Sequence, residues 1–333
     1  MNIVPTGRWL AAALALAVGL SLAGAAGAES VTFGTDWKAE AEHGGFYQAI
    51  AAGIYKKHGI EVTLRQGGPN VNHAQLLAAG VLDFNLASNS FAPLNFAEQN
   101  IPMIAVAALF QKDPSVLIAH PGQGNDTLAA LKGKPIMISG DTRTGSWLFL
   151  KQKFGYTDDQ IRPYNFSVAP FLADPKAVQQ GYLSSEPYTI EKEGVKPVVM
   201  LIADAGYASY GSVIQVSVKT AQEKPDLVQR FVDASIEGWY SYLYGDPAPG
   251  NTLIKKDNPE MNDALIAYGV QKIKDYGVVD SGDAKTNGIG AMGDARWKEF
   301  YDTMSKAGLY PAGMDYKKAY TLQFVNKKVG MKP

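Results

Sequence analysis

The chain has 333 residues, more than one hydrophobic core usually serves, so we expect about two domains. Its hydrophobic content of 46% and charged content of 19% are typical of a globular protein, and its net charge of −1 argues against nucleic acid or an anionic membrane as a partner. The absence of cysteine excludes disulfides, cysteine metal sites, thiol nucleophiles and a lipidated cysteine.

The first 28 residues have the features of an export signal. Arg8 is the only charged residue before an apolar run at residues 9–22, and small residues follow up to Ala28. A basic start, an apolar core and an A-x-A site, in this order, are typical of a cleaved signal peptide. A membrane anchor is the alternative, but the apolar part is short and no basic stop-transfer cluster follows it. We predict cleavage after Ala28.

The mature chain begins with alternating strand and helix patterns. A predicted strand at residues 31–36 is followed by a helical pattern at 45–58, which Gly59 ends. A strand, a short helix and two more strands are predicted at residues 60–64, 72–79, 83–87 and 103–109. This alternation favours the α/β class with parallel strands.

A second α/β series follows an extended run at residues 115–119 and a loop of turn residues. Its predicted helices lie at residues 128–133, 145–154 and 173–180. Its predicted strands lie at residues 135–139, 164–168, 182–185 and 198–202. A strand at 213–218 reads as a return to the first series. Helices are then predicted at 225–244, 262–276 and 294–307, and a terminal helix or extension begins at 317.

This order predicts two lobes joined by two crossings of the chain. Lobe 1 would comprise residues 29–119 and 213–333, and lobe 2 would comprise residues 120–212. Two crossings imply a hinge, and a cleft between domains is a common place for a ligand.

The mature chain also carries motifs of a known family. They are Asp36-Trp37, HGGFYQA at 43–49, AGIYKKHGIEV at 52–62, AGVLDF at 79–84, LKGK at 131–134, SEPY at 185–188 and GIGAMG at 288–293. Together they resemble the thiamine-pyrimidine synthase-like family of periplasmic binding proteins, which is similar to the taurine, sulfonate and nitrate binders. The resemblance covers nearly the whole mature chain and implies a type II periplasmic-binding-protein fold with a hinged interlobe cleft.

The resemblance implies a periplasmic solute-binding component of an ABC importer. The implied partners are a small-molecule ligand and the permease and ATPase subunits in the inner membrane. We expect a monomer without cofactor or metal. We favour a small heteroaromatic ligand, specifically a thiamine-type aminopyrimidine precursor. A small anionic organic compound, such as a sulfonate or an aromatic carboxylate, is the alternative.

One branch of the family is a cytosolic enzyme that builds the thiamine pyrimidine from its own histidine and pyridoxal phosphate. That branch has a run of consecutive cysteines, whereas this chain has none and begins with a predicted export signal. The sequence also lacks a paired-histidine metal motif, a G-x-S-x-G motif and a P-loop. We therefore expect a binding protein, with the pyridoxal phosphate enzyme as the alternative.

Several candidate ligand-binding residues follow predicted strands. Trp37 can offer a flat face to a planar ligand, or it can be a core tryptophan. His43 precedes a helix and can donate a hydrogen bond or cap that helix. Asn89 offers both a donor and an acceptor to a ligand, and this segment can also cap the next helix. Gln111 follows the fourth strand, where open α/β sheets face their crevice, with a solvated loop position as the alternative.

Two further groups follow strands of the second series. Thr142, Arg143, Thr144 and Ser146 open a helix whose free N–H groups favour an anion, with ordinary capping as the alternative. Because of this group, a small anionic compound remains the alternative ligand. Glu186 can pair with an N–H or amino group of an aminopyrimidine and Tyr188 can form a second aromatic wall, whereas a salt bridge or a helix-start carboxylate is the structural alternative.

Overall fold

The structure is a computed structural model that describes residue 1 and residues 27–68, 71–143 and 145–331. Most of the predicted signal peptide, residues 2–26, and the candidate Thr144 therefore lie outside the described residues. Within these ranges, no helix has the length and apolar character needed to cross a membrane.

The described residues form ten strands in two five-stranded sheets. In chain order the strands are β1 Glu29–Gly34, β2 Ile60–Arg65, β3 Phe84–Asn89, β4 Met103–Phe110, β5 Ser115–Ala119, β6 Ile136–Ile138, β7 Ile161–Pro163, β8 Val178–Tyr182, β9 Val198–Leu201 and β10 Gly211–Ser217. The first sheet has the order β2-β1-β3-β10-β4, and the second has the order β7-β6-β8-β5-β9. Parallel pairing within each sheet is completed by one antiparallel strand, β10 in the first and β5 in the second.

Fourteen α-helices of the described residues connect and cover these strands. In chain order they are α1 Gly44–Ala51, α2 Ile54–Lys57, α3 His73–Ala78, α4 Phe91–Glu98, α5 Gly140–Arg143, α6 Ser146–Phe154, α7 Ala169–Ala173, α8 Glu186–Lys192, α9 Val218–Glu223, α10 Pro225–Tyr244, α11 Ala248–Asp257, α12 Asp263–Asp275, α13 Ala284–Asn287 and α14 Asp294–Lys306. The predicted two-part α/β architecture is confirmed, with mixed sheets in place of purely parallel ones.

One domain boundary needs correction. The sequence pattern places residues 115–119 in lobe 1, but β5 pairs with β8 and β9 and so belongs to the second sheet. The first crossing is therefore the short segment between Phe110 and Ser115, and the return crossing ends at Gly211, where β10 begins. We propose that the two lobes divide at these points.

A single side chain contacts both crossing segments. Arg296 on α14 donates Nε to the Ala208 oxygen at 2.8 Å and Nη2 to the Ser209 oxygen at 2.9 Å. Its Nη2 also donates to the Gln111 oxygen, on the other crossing. The guanidinium lies 4.1 Å from the centre of the Tyr210 ring, a cation–π distance. Arg296 thus fixes the two connections of the lobes relative to each other.

The core of the first unit lies between its sheet and α10. Phe231 on α10 is fully buried and stacks on Phe84 of β3, with ring centres 3.8 Å apart. Helices α1 and α10 approach closely because glycine occupies the contact. A Cβ atom on Gly238 would lie 2.3 Å from the backbone oxygen of Gly45. This close approach places the start of α1 beside the ends of the strands.

Candidate functional site

A cavity of about 610 Å³ lies between the two sheets. One wall comes from the segment between β1 and α1 and from the ends of β3, β4 and β10. The opposite wall comes from the start of α6, the segment before α7 and the connection from β8 to α8. Its volume is within the range of small-molecule sites, and strand ends in α/β sheets are where ligands commonly bind.

The structure brings six of the ten candidate residues together. The lining includes Trp37, His43, Asn89, Thr142, Ser146 and Glu186. The first three come from one unit and the last three from the other, as expected for a cleft between two lobes. Both walls of the cavity therefore contain residues that the sequence pattern singles out.

Three candidates lie outside the cavity lining. Gln111 is 2% exposed and donates its amide nitrogen to the oxygens of Ala108 and Ala291, so it joins elements of the first unit. Arg143 is exposed. Hydrogen bonds from Trp147 and Lys151 are the main reason that the pKa of Asp158 is lowered, and the charge of Arg143 adds to this effect. Tyr188 packs on Tyr268 with ring centres 5.3 Å apart. Arg143 and Tyr188, the expected arginine grip and second aromatic wall, therefore lie outside the described lining.

An aromatic residue that the sequence analysis missed faces Trp37. The Phe166 ring centre lies 4.8 Å from that of Trp37, and the rings are tilted by 45°. Phe166 is 41% exposed, which is unusual for such a large apolar side chain, and its φ is +62°. A bulky residue in the left-handed region is strained, and strain of this kind concentrates at functional sites. The sequence pattern predicts a strand at residues 164–168, whereas Phe166 lies in the loop after β7.

The buried His43, at the start of α1, pairs with the half-buried Asp36. The His43 Nε2 and the Asp36 Oδ1 are 2.9 Å apart, and the His43 side chain is 4% exposed. Burial opposes ionisation of Asp36, but the hydrogen bond and charge of His43 hold the pKa of Asp36 below its ordinary value. The Nδ1 of His43 is buried without a hydrogen-bond partner among the described residues. A bound molecule can satisfy this nitrogen.

The cavity is strongly acidic, although Glu186 is the one carboxylate among the ten candidate residues. Among the described residues, the basic side chains of the lining are Lys38 and His43. Six carboxylate side chains also line it: Asp36, Glu40, Glu42, Asp113, Glu186 and Glu260. Lys38 is paired with Glu260 at 2.9 Å. The alternating acids in the segment A-E-A-E-H at 39–43, directly after a strand end, were the signal that could have revealed this property.

The surroundings of the half-buried Glu40 and the buried Glu42 raise the pKa values of both carboxyl groups. Burial raises the pKa of Glu40 well above its ordinary value, and the nearby carboxylates of Glu42 and Glu186 add to this effect. Burial also raises the pKa of Glu42, against a hydrogen bond that its Oε1 accepts from the Ser184 hydroxyl. The Ser184 contact joins the two units across the cleft.

Glu186 has a structural role in addition to its place in the lining. Its carboxylate accepts hydrogen bonds from the Tyr164 hydroxyl at 3.0 Å, the Tyr182 N–H at 2.8 Å and the Ser185 hydroxyl at 2.7 Å. These donors fix the first turn of α8 against β8. The helix-start interpretation of Glu186 therefore holds together with its exposure to the cavity.

Ser212 is a second lining residue that the sequence analysis missed. It follows the return crossing, is 4% exposed and has a φ of +48°. Its hydroxyl has no hydrogen-bond partner among the described residues. A buried unpaired hydroxyl in a strained residue needs an explanation, and a ligand in the cavity supplies one. No local sequence signal identified this position.

The described ranges contain no group of three or more His, Cys, Asp or Glu side chains arranged to hold a metal ion. The chemistry of the cavity is instead that of carboxylates, hydroxyls and aromatic rings.

The chain is similar to several characterised proteins. It is 25% identical over 306 residues to the riboflavin-binding protein RibY of Chloroflexus aurantiacus, covering 89% of this chain and 86% of RibY. The periplasmic aliphatic sulphonate-binding protein SsuA of Escherichia coli has a similar structure, with a TM-score of 0.67 and 13% identity over 87% of this chain and 91% of SsuA.

The desulfurization enzyme DszB also has a similar structure, with a TM-score of 0.58 and 14% identity over 89% of this chain and 97% of the enzyme. The likeness to SsuA confirms the periplasmic-binding-protein fold, and DszB shows that an enzyme can have it. A model of the family described as NMT1/THI5 like matches residues 40–249, which is more than half of the chain. The protein therefore belongs to the NMT1/THI5-like family.

Proposed function

We propose that this protein is a periplasmic solute-binding component of an ABC importer. The observation that carries the proposal is a cavity between two sheets that are joined by two short crossing segments of the described chain. Such a geometry allows the lobes to separate and to close over a solute. The family and the fold support this reading, as does the predicted export signal. The permease and ATPase subunits would then be its partners.

Ligand-driven closure follows from the composition of the two walls. Trp37, Asn89 and Ser212 lie on one wall, whereas Thr142 and Glu186 lie on the other. A solute that contacts both walls makes its full set of contacts in the closed form alone. Its differential affinity then shifts the population towards closure. A closed, loaded protein is the form that a permease can distinguish from the empty one.

We propose a small heteroaromatic ligand with N–H donors, and a thiamine-type aminopyrimidine remains the favoured example. The Trp37–Phe166 pair provides aromatic surface, and the carboxylates provide acceptors for ring and amino N–H groups. The rings of this pair contact each other, so a planar ligand stacks on the face turned to the cavity or separates the two rings. The similarity to RibY makes riboflavin, which also carries a planar ring system, the second ligand to test.

An anionic ligand and pyridoxal phosphate chemistry receive less support from the geometry. The described lining contains no arginine that could pair with an anion such as a sulfonate, because Arg143 lies outside it. A pyridoxal phosphate enzyme would need a lysine for the aldehyde, and Lys38, the lysine of the described lining, is paired with Glu260. Binding without chemistry is therefore the function we propose.

The proposal predicts stabilisation by one chemical class in a thermal-shift screen. The mature protein is heated with aminopyrimidines, riboflavin, sulfonates, nitrate and aromatic acids at equal concentrations. A ligand present at 100 times its Kd stabilises the folded state by ~2.7 kcal/mol, which raises Tm by roughly 5 °C or more. Isothermal titration then gives the stoichiometry, expected to be one. No shift with any compound, or turnover of the compound that binds, would contradict the proposed function.

A second prediction concerns Ser212. Ser212→Ala removes the unpaired hydroxyl but keeps a side chain at positive φ, and we expect ligand affinity to fall about three- to tenfold. Ser212→Gly is the matched variant, because it removes the same hydroxyl and also relieves the backbone strain. Both variants should lose affinity equally, whereas Ser212→Gly should have the higher Tm of the two. Unchanged affinity in both would show that the hydroxyl does not contact the ligand.

A further inference from the structure

We propose that the cavity selects a ligand that carries a positive charge, with Glu40, Glu42 and Asp113 as its counter-charges. This inference rests on the proposed function and narrows the ligand class beyond planar heteroaromatic compounds. The chemical group that fits is a ring with a fixed positive charge or a protonated ring nitrogen.

The charge inventory of the lining supports this choice. Of the six carboxylates among its described residues, Asp36 is hydrogen-bonded to His43 at 2.9 Å and Glu260 is paired with Lys38 at 2.9 Å. Glu186 is surrounded by hydroxyl and N–H donors. Asp113 accepts a hydrogen bond from the Ser115 N–H at 2.9 Å, and neither it nor Glu40 or Glu42 has a salt-bridge partner within the described ranges. Glu42 and Asp113 are buried, and Glu40 is half-buried. Carboxylates withdrawn from water without a cation are costly, and a cationic ligand offsets this cost.

Two buried polar groups give independent support for a bound molecule. The Nδ1 of His43 and the hydroxyl of Ser212 both belong to lining residues that are more than nine-tenths buried, and neither has a partner among the described residues. Such groups are rarely left unsatisfied in native proteins. They lie on the same wall as Glu40 and Glu42, so one ligand can contact the hydrogen-bonding groups and the carboxylates together.

Protons take the place of the cation when the cavity is empty. Burial raises the pKa of Asp113 to about 6, against the hydrogen bonds from Ser115 and the charge of Arg296, and Asp36 adds to the rise. The pKa of Glu40 is raised well above its ordinary value by burial and by the carboxylates around it, and Lys38 is the neighbour that opposes this shift. A cation entering the cavity stabilises the ionised carboxylates, so it expels these protons.

The sign of the pH dependence follows from this exchange. The free protein holds more protons than the complex, so affinity for a fixed cation rises with pH through about 6, by up to tenfold per pH unit for one released proton. The affinity for a neutral ring of the same shape changes little over this range. An anion would show the opposite dependence, because it binds best when the carboxyl groups are protonated.

Isothermal titration with matched probes tests the proposal. The cations are thiamine and N-methylnicotinamidium, nicotinamide is the neutral counterpart of the second, and nicotinate is the anion. We expect a cation to bind about tenfold or more tightly than its neutral counterpart, with proton release detected from the dependence of the heat on buffer ionisation. Glu40→Gln should weaken cation binding about tenfold and reduce proton release. Asp113→Asn is the second variant, with the same expectation.

Glu61→Gln is the matched control, because Glu61 is exposed on β2 and outside the lining, and it should leave all affinities unchanged. If a neutral or anionic compound binds more tightly than the cations, or cations bind without proton release, the charge inference is overturned and the proposed function stands. If no compound of this set or of the thermal-shift screen binds, the proposed function itself fails. A circular-dichroism melt of each variant separates lost binding from lost folding.

Discussion

Trp37→Ala is expected to weaken ligand binding about 10- to 100-fold while changing Tm by little. Trp37 is half-buried at the cavity, and its ring contacts that of Phe166 on the opposite wall. Loss of an aromatic platform for a planar ring costs about 1–3 kcal/mol, which corresponds to this range of affinities. The side chain is not part of the fully buried core, so the free energy of unfolding should fall by about 1 kcal/mol or less.

The experiment compares titration of the ligand with the thermal melt of each variant. Trp37→Phe should restore most of the affinity, because it keeps a flat face on the same wall. Tyr244→Ala is the control for loss of an aromatic side chain, since Tyr244 is 55% exposed and outside the cavity lining. Affinity within twofold of the wild-type value for Trp37→Ala would remove Trp37 from the site.

Gly238→Ala is expected to cost about 3 kcal/mol of stability and to weaken ligand binding as well. The added Cβ would lie 2.3 Å from the backbone oxygen of Gly45 and 2.7 Å from the Ala49 Cβ, so α1 and α10 must move apart. Overpacking of a well-packed interior costs about 1–3 kcal/mol, and backbone atoms cannot rotate away as a side chain does. Because His43 precedes α1, a shift of this helix also displaces one wall of the cavity.

Urea unfolding monitored by tryptophan fluorescence gives the stability change, and titration of the variant gives its affinity. Glu237→Ala, at the neighbouring position of α10, is the control. Glu237 is partly exposed and pairs with His58 at 3.2 Å, so its substitution should change the free energy of unfolding by about 0.5 kcal/mol or less. Equal stability of the two variants would mean that the helices have room for a methyl group.

Elements with strong local signals were predicted accurately from the sequence. Residues 115–119 and 225–244 form a strand and a helix with the predicted bounds. The helix predicted at 45–58 divides at Gly53, whose φ of +68° interrupts it, and α11 was not predicted.

Errors concentrate where pairing between distant segments decides the conformation. The pattern at 173–180 favours a helix because alanine, lysine and glutamine are good helix formers. The structure instead places β8 at Val178–Tyr182, between β6 and β5, where hydrogen bonding to both neighbours outweighs local propensity. The strand predicted at 182–185 is consequently the turn that leads into α8, and the strand near 164 is β7 at Ile161–Pro163.

The same distinction applies to the candidate site. Trp37, Asn89 and Ser146 could be predicted because strand ends and helix starts have a known position in α/β folds. Phe166 and Ser212 could not, because their importance lies in a backbone strain and a missing partner that appear in three dimensions alone. The acidic character of the cavity depends on carboxylates from both units, which are distant in the chain.

The interior position of β10 in its sheet has a consequence for how the nascent chain folds. It lies between β3 and β4, and its pairing joins them into one sheet, yet it is synthesised after the entire second unit. Until then β3 and β4 each present an unpaired edge, the kind of surface through which chains aggregate. The second unit can complete its sheet first, and the first unit must close around it through non-local contacts that form slowly. We therefore expect the unpaired edges of β3 and β4 to be the aggregation-prone surface of the chain while its synthesis is incomplete.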